Sequence, residues 1–538
     1  MEFNFSNQNL SRPQATLQRF FEILPGILSW GIILGVIVLG LTRPLAVAGL
    51  ILAFDLYLVL RFTYMIIFLL FLRSRLELEA KTDWLARARG INRLYDYWRE
   101  LNELEVGPKG KQDLSRTIHK NELRILEKSR SRAPLLEDIH HLIIIPGKAA
   151  DIANFSSTVD SLLRSDFPSI KISVIFAFEY GVSQPLRLTV SRLIERYRDK
   201  LFEVQAVYCP DKPSSKYPNR SAVINFAARE SVKYFNQKRI PLEKVITSYF
   251  QAGVLVSPDY LSCLTYRFMV SPYRQAACFQ SIPVYNYSIW SDPVSRITLN
   301  ASASFFQLIE AANPDNLVSF SSYSLSLAAL AEFDYWPQDS ASIDTAMFWK
   351  AFIYFNGNFK VIPLYIGYPV KTVVEAQASW FKELYRQKQE QAMAVQDFPI
   401  AMRAFLKAGR MPLAKRILQA FKLLEAQLSV SLWPFLLLVA GWFPALLCGR
   451  EFSDSGTYYS TPRITFLIFS LMVIGLIMSL VLTKRVLPER KSERKILVKI
   501  VDWLTLVPLA LIGIFLQSLA VLSVQTGLIF GRRHSHDG

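Results

Sequence analysis

Few residues in this 538-residue chain combine a reactive type with a spacing that could do chemistry. The four cysteines, Cys209, Cys263, Cys278 and Cys448, are scattered, without the short repeated spacing of a thiolate metal site. The five histidines form no metal-ligand pattern either, and His534 and His536 fall in a polar tail. What remains are single charges at the borders of apolar runs. Glu179 follows "IKISVIFAF", Arg220 opens "RSAVINFAARE", and Asp344 stands just ahead of "TAMFWKAFIYF", where aspartate suits a helix N-cap. The stretch "YFQAGVLVSPDYLSCLTYRF", residues 249–268, holds one acid, Asp259, and between 243 and 268 the only other acid is Glu243. A pair of carboxylates for a divalent ion is therefore not to be found there.

Two kinds of segment must position these residues. Ile23 to Leu41 is a charge-free run long enough for a bilayer, which takes roughly 20 residues. Ala46 to Leu72 is a second, interrupted only by Asp55 and Arg61, and Val430 to Leu447, Ile464 to Leu482 and Ile500 to Phe530 follow at the far end. Five membrane spans are expected, or six if the last tract divides. The first run is too long for a signal core and no small-residue cleavage pattern follows it, so it reads as an anchor. The chain divides into a polar head at 1–22, two spans at 23–72, a charged helical connector at 73–139, an α/β domain at 140–400, an amphipathic interfacial helix at 401–427, membrane segments at 428–531 and a polar tail at 532–538.

Within the domain, "HLIIIPGK" and "IKISVIFAF" are short apolar runs expected as strands buried on both faces. Between them Ile152, Phe155, Val159 and Leu162 recur at helical spacing, which gives a parallel strand–helix–strand unit. "EKVITSYF" is a further strand. In "GRMPLAKRILQAFKLLEAQ", Pro412 suits a first helical turn, and Leu413, Ile417 and Phe421 share a face that Lys415, Arg416 and Lys422 avoid. Such a helix just before a span is expected to lie flat on the membrane surface.

The net charge of +17 comes from 61 basic and 44 acidic residues. Much of the excess borders the spans: Arg73, Arg75, Lys81, Arg87 and Arg89 follow the second, while Lys484, Arg485, Arg490, Lys491, Arg494, Lys495 and Lys499 precede the last. Loops 42–45 and 449–463 carry few basic residues, so the central region and the N-terminus are expected in the cytoplasm, at the plasma (inner) membrane. Membrane lipids are the expected partners of these bordering charges, and nucleic acid is not. Three of the cysteines then lie where thiols stay reduced.

In order and local sequence these segments resemble the membrane-bound family 2 glycosyltransferases, cellulose-synthase-like and hyaluronan-synthase-like, over roughly 140 to 450. "IIIPGKAADIANFSSTVDSLLRSDFPSIKISVIFAFE", "NRSAVINFAARE", "VLVSPDYLSCLTYRF" and "FQSIPVYNYSIW" follow one another as in that family. "PDNLVSFSSYSLSLAALAEF" resembles its acceptor-side helix, and "SIDTAMFWKAFIYFNGNFKVIPLY" its catalytic-carboxylate helix. The resemblance implies an α/β fold: a cytoplasmic GT-A-type nucleotide-binding domain inserted between transmembrane helices. It implies nucleotide-sugar contacts at Pro146, Glu179 and Arg220, and a catalytic carboxylate at Asp344.

The same resemblance exposes departures. The family's Asp-x-Asp falls on Gln251-Ala252-Gly253, the glutamate beside the catalytic aspartate falls on Ile343, and Gln-x-x-Arg-Trp keeps Gln387 but meets Glu390 and Gln391. No metal is expected, and Mg²⁺ or Mn²⁺ enters only if this pairing of motifs is wrong. The expected protein is a degenerate transferase acting as a structural or regulatory subunit beside an active glycosyltransferase paralogue or an envelope biosynthesis complex. Two alternatives stand beside it. One is a metal-independent transferase in which Lys148, Lys216 or Arg220 neutralises the diphosphate. The other is a membrane transport or binding protein that uses Asp55, Arg61 and Asp502.

Overall fold

The structure, a computed structural model, describes Phe5 and residues 10–103, 111–129, 131–147, 151–210, 220–284, 317–369 except 321, 339 and 341, 380–436, most of 463–478, and 496–532. The chain opens with two long helices, α1 (Arg12–Thr42) and α2 (Pro44–Glu79), and three short ones, α3 (Trp84–Ile91), α4 (Leu94–Glu103) and α5 (Lys111–Lys128). The domain then runs β1 (His140–Pro146), α6 (Ile152–Leu163), β2 (Ile172–Phe178), α7 (Gln184–Tyr197), β3 (Glu203–Tyr208), α8 (Arg220–Gln237), β4 (Val245–Tyr249) and α9 (Tyr260–Val270). It continues through β5 (Ala277–Val284), β6 (Tyr323–Ser326), α10 (Leu327–Glu332), α11 (Ile343–Tyr354), β7 (Lys360–Pro369), α12 (Trp380–Ala392) and α13 (Phe398–Lys407). α14 (Leu413–Phe435) and α15 (Ile496–Ile529) complete it.

The expected strands form, and for the expected reason. Every residue of β1, β2 and β4 is buried, as continuous apolar runs in a covered parallel sheet must be. Seven strands lie in the order β3-β2-β1-β4-β6-β5-β7. β1 pairs parallel with β2 and β4, and only β6 runs antiparallel to its neighbours β4 and β5. Side chains alternate across the sheet: Ile143 and Ile145 enter one core with Phe155 and Leu264, while Leu142 and Ile144 enter the other with Ile224 and Met347.

Several boundaries differ from those expected. α1 begins at Arg12, inside the expected polar head, because Ser11 and Gln14 close a capping box there. α2 runs on to Glu79, so the connector starts as a continuation of the second span. The segment resembling an acceptor-side helix supplies the antiparallel strand β6 and only six residues of helix. Pro412 takes the N-cap position of α14, one residue earlier than expected, and α14 continues to Phe435 with no break at 427. The tract 500–530 belongs to one unbroken 34-residue helix, about 50 Å long at 1.5 Å per residue. Among the described residues three helices are long and apolar enough to cross a membrane, with windows Arg12–Thr42, Gly49–Glu79 and Ile512–Ile529. Of the other two expected spans, 437–447 lies outside the described residues and 464–482 is only partly described.

The sheet is joined to the membrane part through α9, in which every residue is buried. Arg267 Nη2 donates to Glu79 Oε1 at 2.6 Å and Nη1 to Glu122, and its guanidinium lies 5.4 Å from the Trp84 ring centroid. Tyr266 donates to Glu122 at 2.6 Å, and His119 bridges Tyr266 (2.5 Å) and Tyr97 (2.9 Å).

Replacing Arg267 with leucine takes the shared cation from the buried Glu79, leaving Arg75 at 3.7 Å, and from the half-buried Glu122. We expect a loss of about 3–5 kcal/mol, read as a large drop in melting temperature of the detergent-purified protein. A second prediction concerns pH. Burial, followed by nearby positive charge, holds His119 and His141 down to about 3, against an ordinary value of 6.5. The unfolded chain therefore binds protons that the folded chain refuses. Stability is complete above about pH 6.5 and falls as pH drops towards 3, by up to ~1.4 kcal/mol per pH unit for each ring. Melting between pH 7.5 and 5 tests the sign.

Candidate functional site

The C-terminal ends of β1, β2 and β4 lie side by side, so the residues just after them share one edge of the domain. Pro146 ends β1, and the Gly147 amide donates to the Ala177 carbonyl at 3.1 Å. Gly147 is required by packing: a Cβ there would stand 2.0 Å from Phe155 Cζ. Glu179 follows β2 directly and is half-buried. Arg220 is the first residue of α8, and Lys148 and Lys216 lie outside the described residues.

After β4 the chain turns sharply. The Val254 amide donates to the Gln251 carbonyl at 3.2 Å, and Gly253 has φ +90°, in the left-handed region that a side chain disfavours. The Gln251 amide donates to Ser322 Oγ at 3.3 Å, which ties the turn to the start of β6. Across the sheet Tyr249 pairs with Tyr323.

Asp344 reaches this place from the other side. It is the second residue of α11 and half-buried, with Ser342 in the N-cap position, so Asp344 does not cap the helix. The capping task falls to Asp397, which accepts from the Ser342 amide at 3.0 Å and from Ser340 Oγ at 2.8 Å. Asp344 instead sits in the first turn, where the helix dipole favours a negative charge. Its charge reaches Cys278 and Tyr323, both pushed well above their ordinary values by burial first and Asp344 second. The structure thus gathers Gln251, Ser322, Tyr323 and Asp344 at one end of β4 and β6.

The α12 residues serve other purposes. Glu390 is exposed and pairs with Arg386 at 3.6 Å along the helix surface, Gln391 is exposed, and the Gln387 side chain lies outside the described residues. Sequence reasoning missed Lys388, which is 2% exposed, with Nζ 3.4 Å from Gln391 Oε1. Burial pulls its ammonium down to about 7. The spacing of Leu384, Lys388 and Ala392, one buried stripe at four-residue intervals, was the available signal.

The divalent ion implied by the resemblance does not fit these residues. The Gln251 amide is a neutral, weak ligand for a hard cation, and Gly253 offers no donor. Among the described residues no group of three or more His, Cys, Asp or Glu could hold a metal ion.

No family model and no curated protein matches the chain. Solved structures do resemble it at low identity. One is the mannosyltransferase PcManGT from Pyrobaculum calidifontis in complex with GDP-Man and Mn²⁺: 14% identity, 81% of this chain and 99% of that one, TM-score 0.34. Another is S. aureus TarS 1-349 in complex with UDP-GlcNAc: 15% identity, 73% and 93%, TM-score 0.34. A third is GalNAc-T7 with UDP, GalNAc and Mn²⁺: 10% identity, 54% and 57%, TM-score 0.30. Among the described residues the chain itself shows an α/β domain with a seven-stranded mixed sheet, carried with apolar helices long enough to span a membrane. Likenesses this distant carry no argument about activity, which must come from the site.

Gly253→Asp tests the turn. A side chain at this φ should cost about 1–2 kcal/mol and lower the melting temperature. The lone carboxylate should not create Mn²⁺-dependent binding of UDP, measured by calorimetry.

Proposed function

We propose that this chain is a multi-pass protein of the plasma (inner) membrane with its glycosyltransferase-like domain in the cytoplasm, and that it is catalytically degenerate. In this reading it is a structural or regulatory subunit in envelope polysaccharide or glycoconjugate synthesis, beside an active paralogue. The observation that carries the reading is the turn at Gln251 to Gly253. Its glycine stands at a positive φ and has no side chain, and Gln251 offers only a neutral amide, so neither position supplies a carboxylate for an ion. Loss of one such electrostatic group removes about 3 kcal/mol or more of transition-state stabilisation. Glu390, drawn into a surface pair with Arg386, adds no cation for a leaving diphosphate.

The placement against a membrane has its own support. Leu413, Ile417 and Phe421 on α14 are 62%, 60% and 66% exposed, an apolar face that a membrane surface would cover.

One observation favours an active, metal-independent transferase: the charge of Asp344 reaches Tyr323, which pairs with Tyr249 at the end of β4. A transporter is less well supported. Arg61, one of its three intramembrane charges, pairs with Glu425 at 2.8 Å and joins α2 to α14.

Calorimetry on the detergent-purified protein separates the readings, using UDP-glucose, UDP-galactose, UDP-GlcNAc, GDP-mannose and free UDP, with and without Mg²⁺ or Mn²⁺. We expect no metal-dependent binding, copurification of a partner enzyme, and full cellular function of the Asp344→Asn variant. Metal-dependent binding would sink the degenerate reading. Metal-independent binding at micromolar affinity, with function lost in Asp344→Asn, would establish the active one.

A further inference from the structure

A cavity of about 360 Å³ lies where the domain meets the membrane helices, between α11, α12, α13, α14 and α15. Its walls are mainly apolar, Trp349 and Val521 among them, and Gln517 and Val521 belong to the part of α15 apolar enough to cross a membrane. Three polar atoms break that lining. Thr345 Oγ1, Gln427 Oε1 and Gln517 Oε1 are buried and have no hydrogen-bond partner among the described residues.

Neighbouring polar groups on the same helices are satisfied. Ser29 Oγ donates to Gln525 Oε1 at 2.8 Å and meets Ser431 Oγ at 2.9 Å, and Ser518 Oγ donates to the Val430 carbonyl at 2.6 Å. Thr345, Gln427 and Gln517, by contrast, leave polar atoms unmatched where they line the cavity. Buried polar atoms left unmade are costly, and apolar cavities of this size with a few polar groups are the usual form of small-ligand sites.

Charge narrows the ligand. Asp397 is the one charged residue in the lining, and its oxygens already accept from Ser340 and Ser342. No lining cation offsets an anion. We infer that this cavity is a binding site for an uncharged lipid, whose hydroxyl-bearing head meets Thr345, Gln427 and Gln517 while its chain follows the apolar wall. The inference goes beyond the proposed function and holds whether or not the domain transfers sugar.

The test is native mass spectrometry of the full-length protein released from detergent, after incubation with dioleoylglycerol, dioleoylphosphatidate or maltotriose. We expect one retained dioleoylglycerol, with phosphatidate retained about tenfold less because its charge would be buried uncompensated. Gln517→Leu, close in size, and Ala426→Trp, at an exposed position of the lining, should each cut dioleoylglycerol retention about fivefold or more without lowering the melting temperature. Equal retention of phosphatidate, or retention of maltotriose in place of the lipid, would overturn the ligand class. Retention unchanged in both variants would overturn the site, and no retention of any probe would mean that water fills it. The nucleotide-sugar calorimetry is independent of all these outcomes.

Discussion

The guanidinium of Arg267, closed between Glu79 and Glu122, is the contact on which the placement of the domain depends. Glu79 is the last residue of a helix long enough to cross a membrane, Glu122 belongs to the connector, and Arg267 belongs to a helix wholly buried beside the sheet. Three parts of the chain therefore share one desolvated charge. Withdrawing Arg267 would leave two carboxylates at the junction with Arg75, 3.7 Å from Glu79, beside them. α9 joins sheet to membrane, and that work is needed whatever happens at the preceding turn.

The turn obeys a different constraint. Its left-handed glycine and its hydrogen bond to Ser322 fasten β4 to the start of β6, the only antiparallel strand among the described residues. On α11 the labour is divided. Asp397 accepts the N–H at the helix start, which leaves the Asp344 side chain turned to other surroundings, near Cys278 and Tyr323.

Much of this architecture was legible because burial writes itself into composition. β1, β2 and β4 are covered on both faces, so their sequences are unbroken apolar runs. β6 was not legible, because "YSLS" is half serine and is a strand only because β4 and β5 flank it. Helix ends were misplaced where apolar composition and helical structure part company: α2 stays helical through Arg73, Arg75 and Glu79, held there by a partner 188 residues away. At the site, the residue types at 251–253 could be read from sequence, but not their geometry. The φ of Gly253, the rival cap at Asp397 and the burial of Lys388 depend on contacts between segments distant in sequence, and no local pattern encodes them.

A second attachment, on the opposite side of the domain, completes the argument. Arg403 of α13 donates to Gln18 of α1 at 2.6 Å, and Gln18 in turn donates to Glu22 at 3.0 Å. One turn along, Arg19 donates to the Leu528 and Ile529 carbonyls, each at 2.6 Å, and so caps the C-terminal end of α15 with a cation that the helix dipole favours. The first helix thus grips both the last element of the domain and the last membrane helix, while α2 grips α9. A domain fastened through buried polar contacts at two separate places has little freedom to rock as a body, since each contact would have to open at the cost of an unmatched buried group.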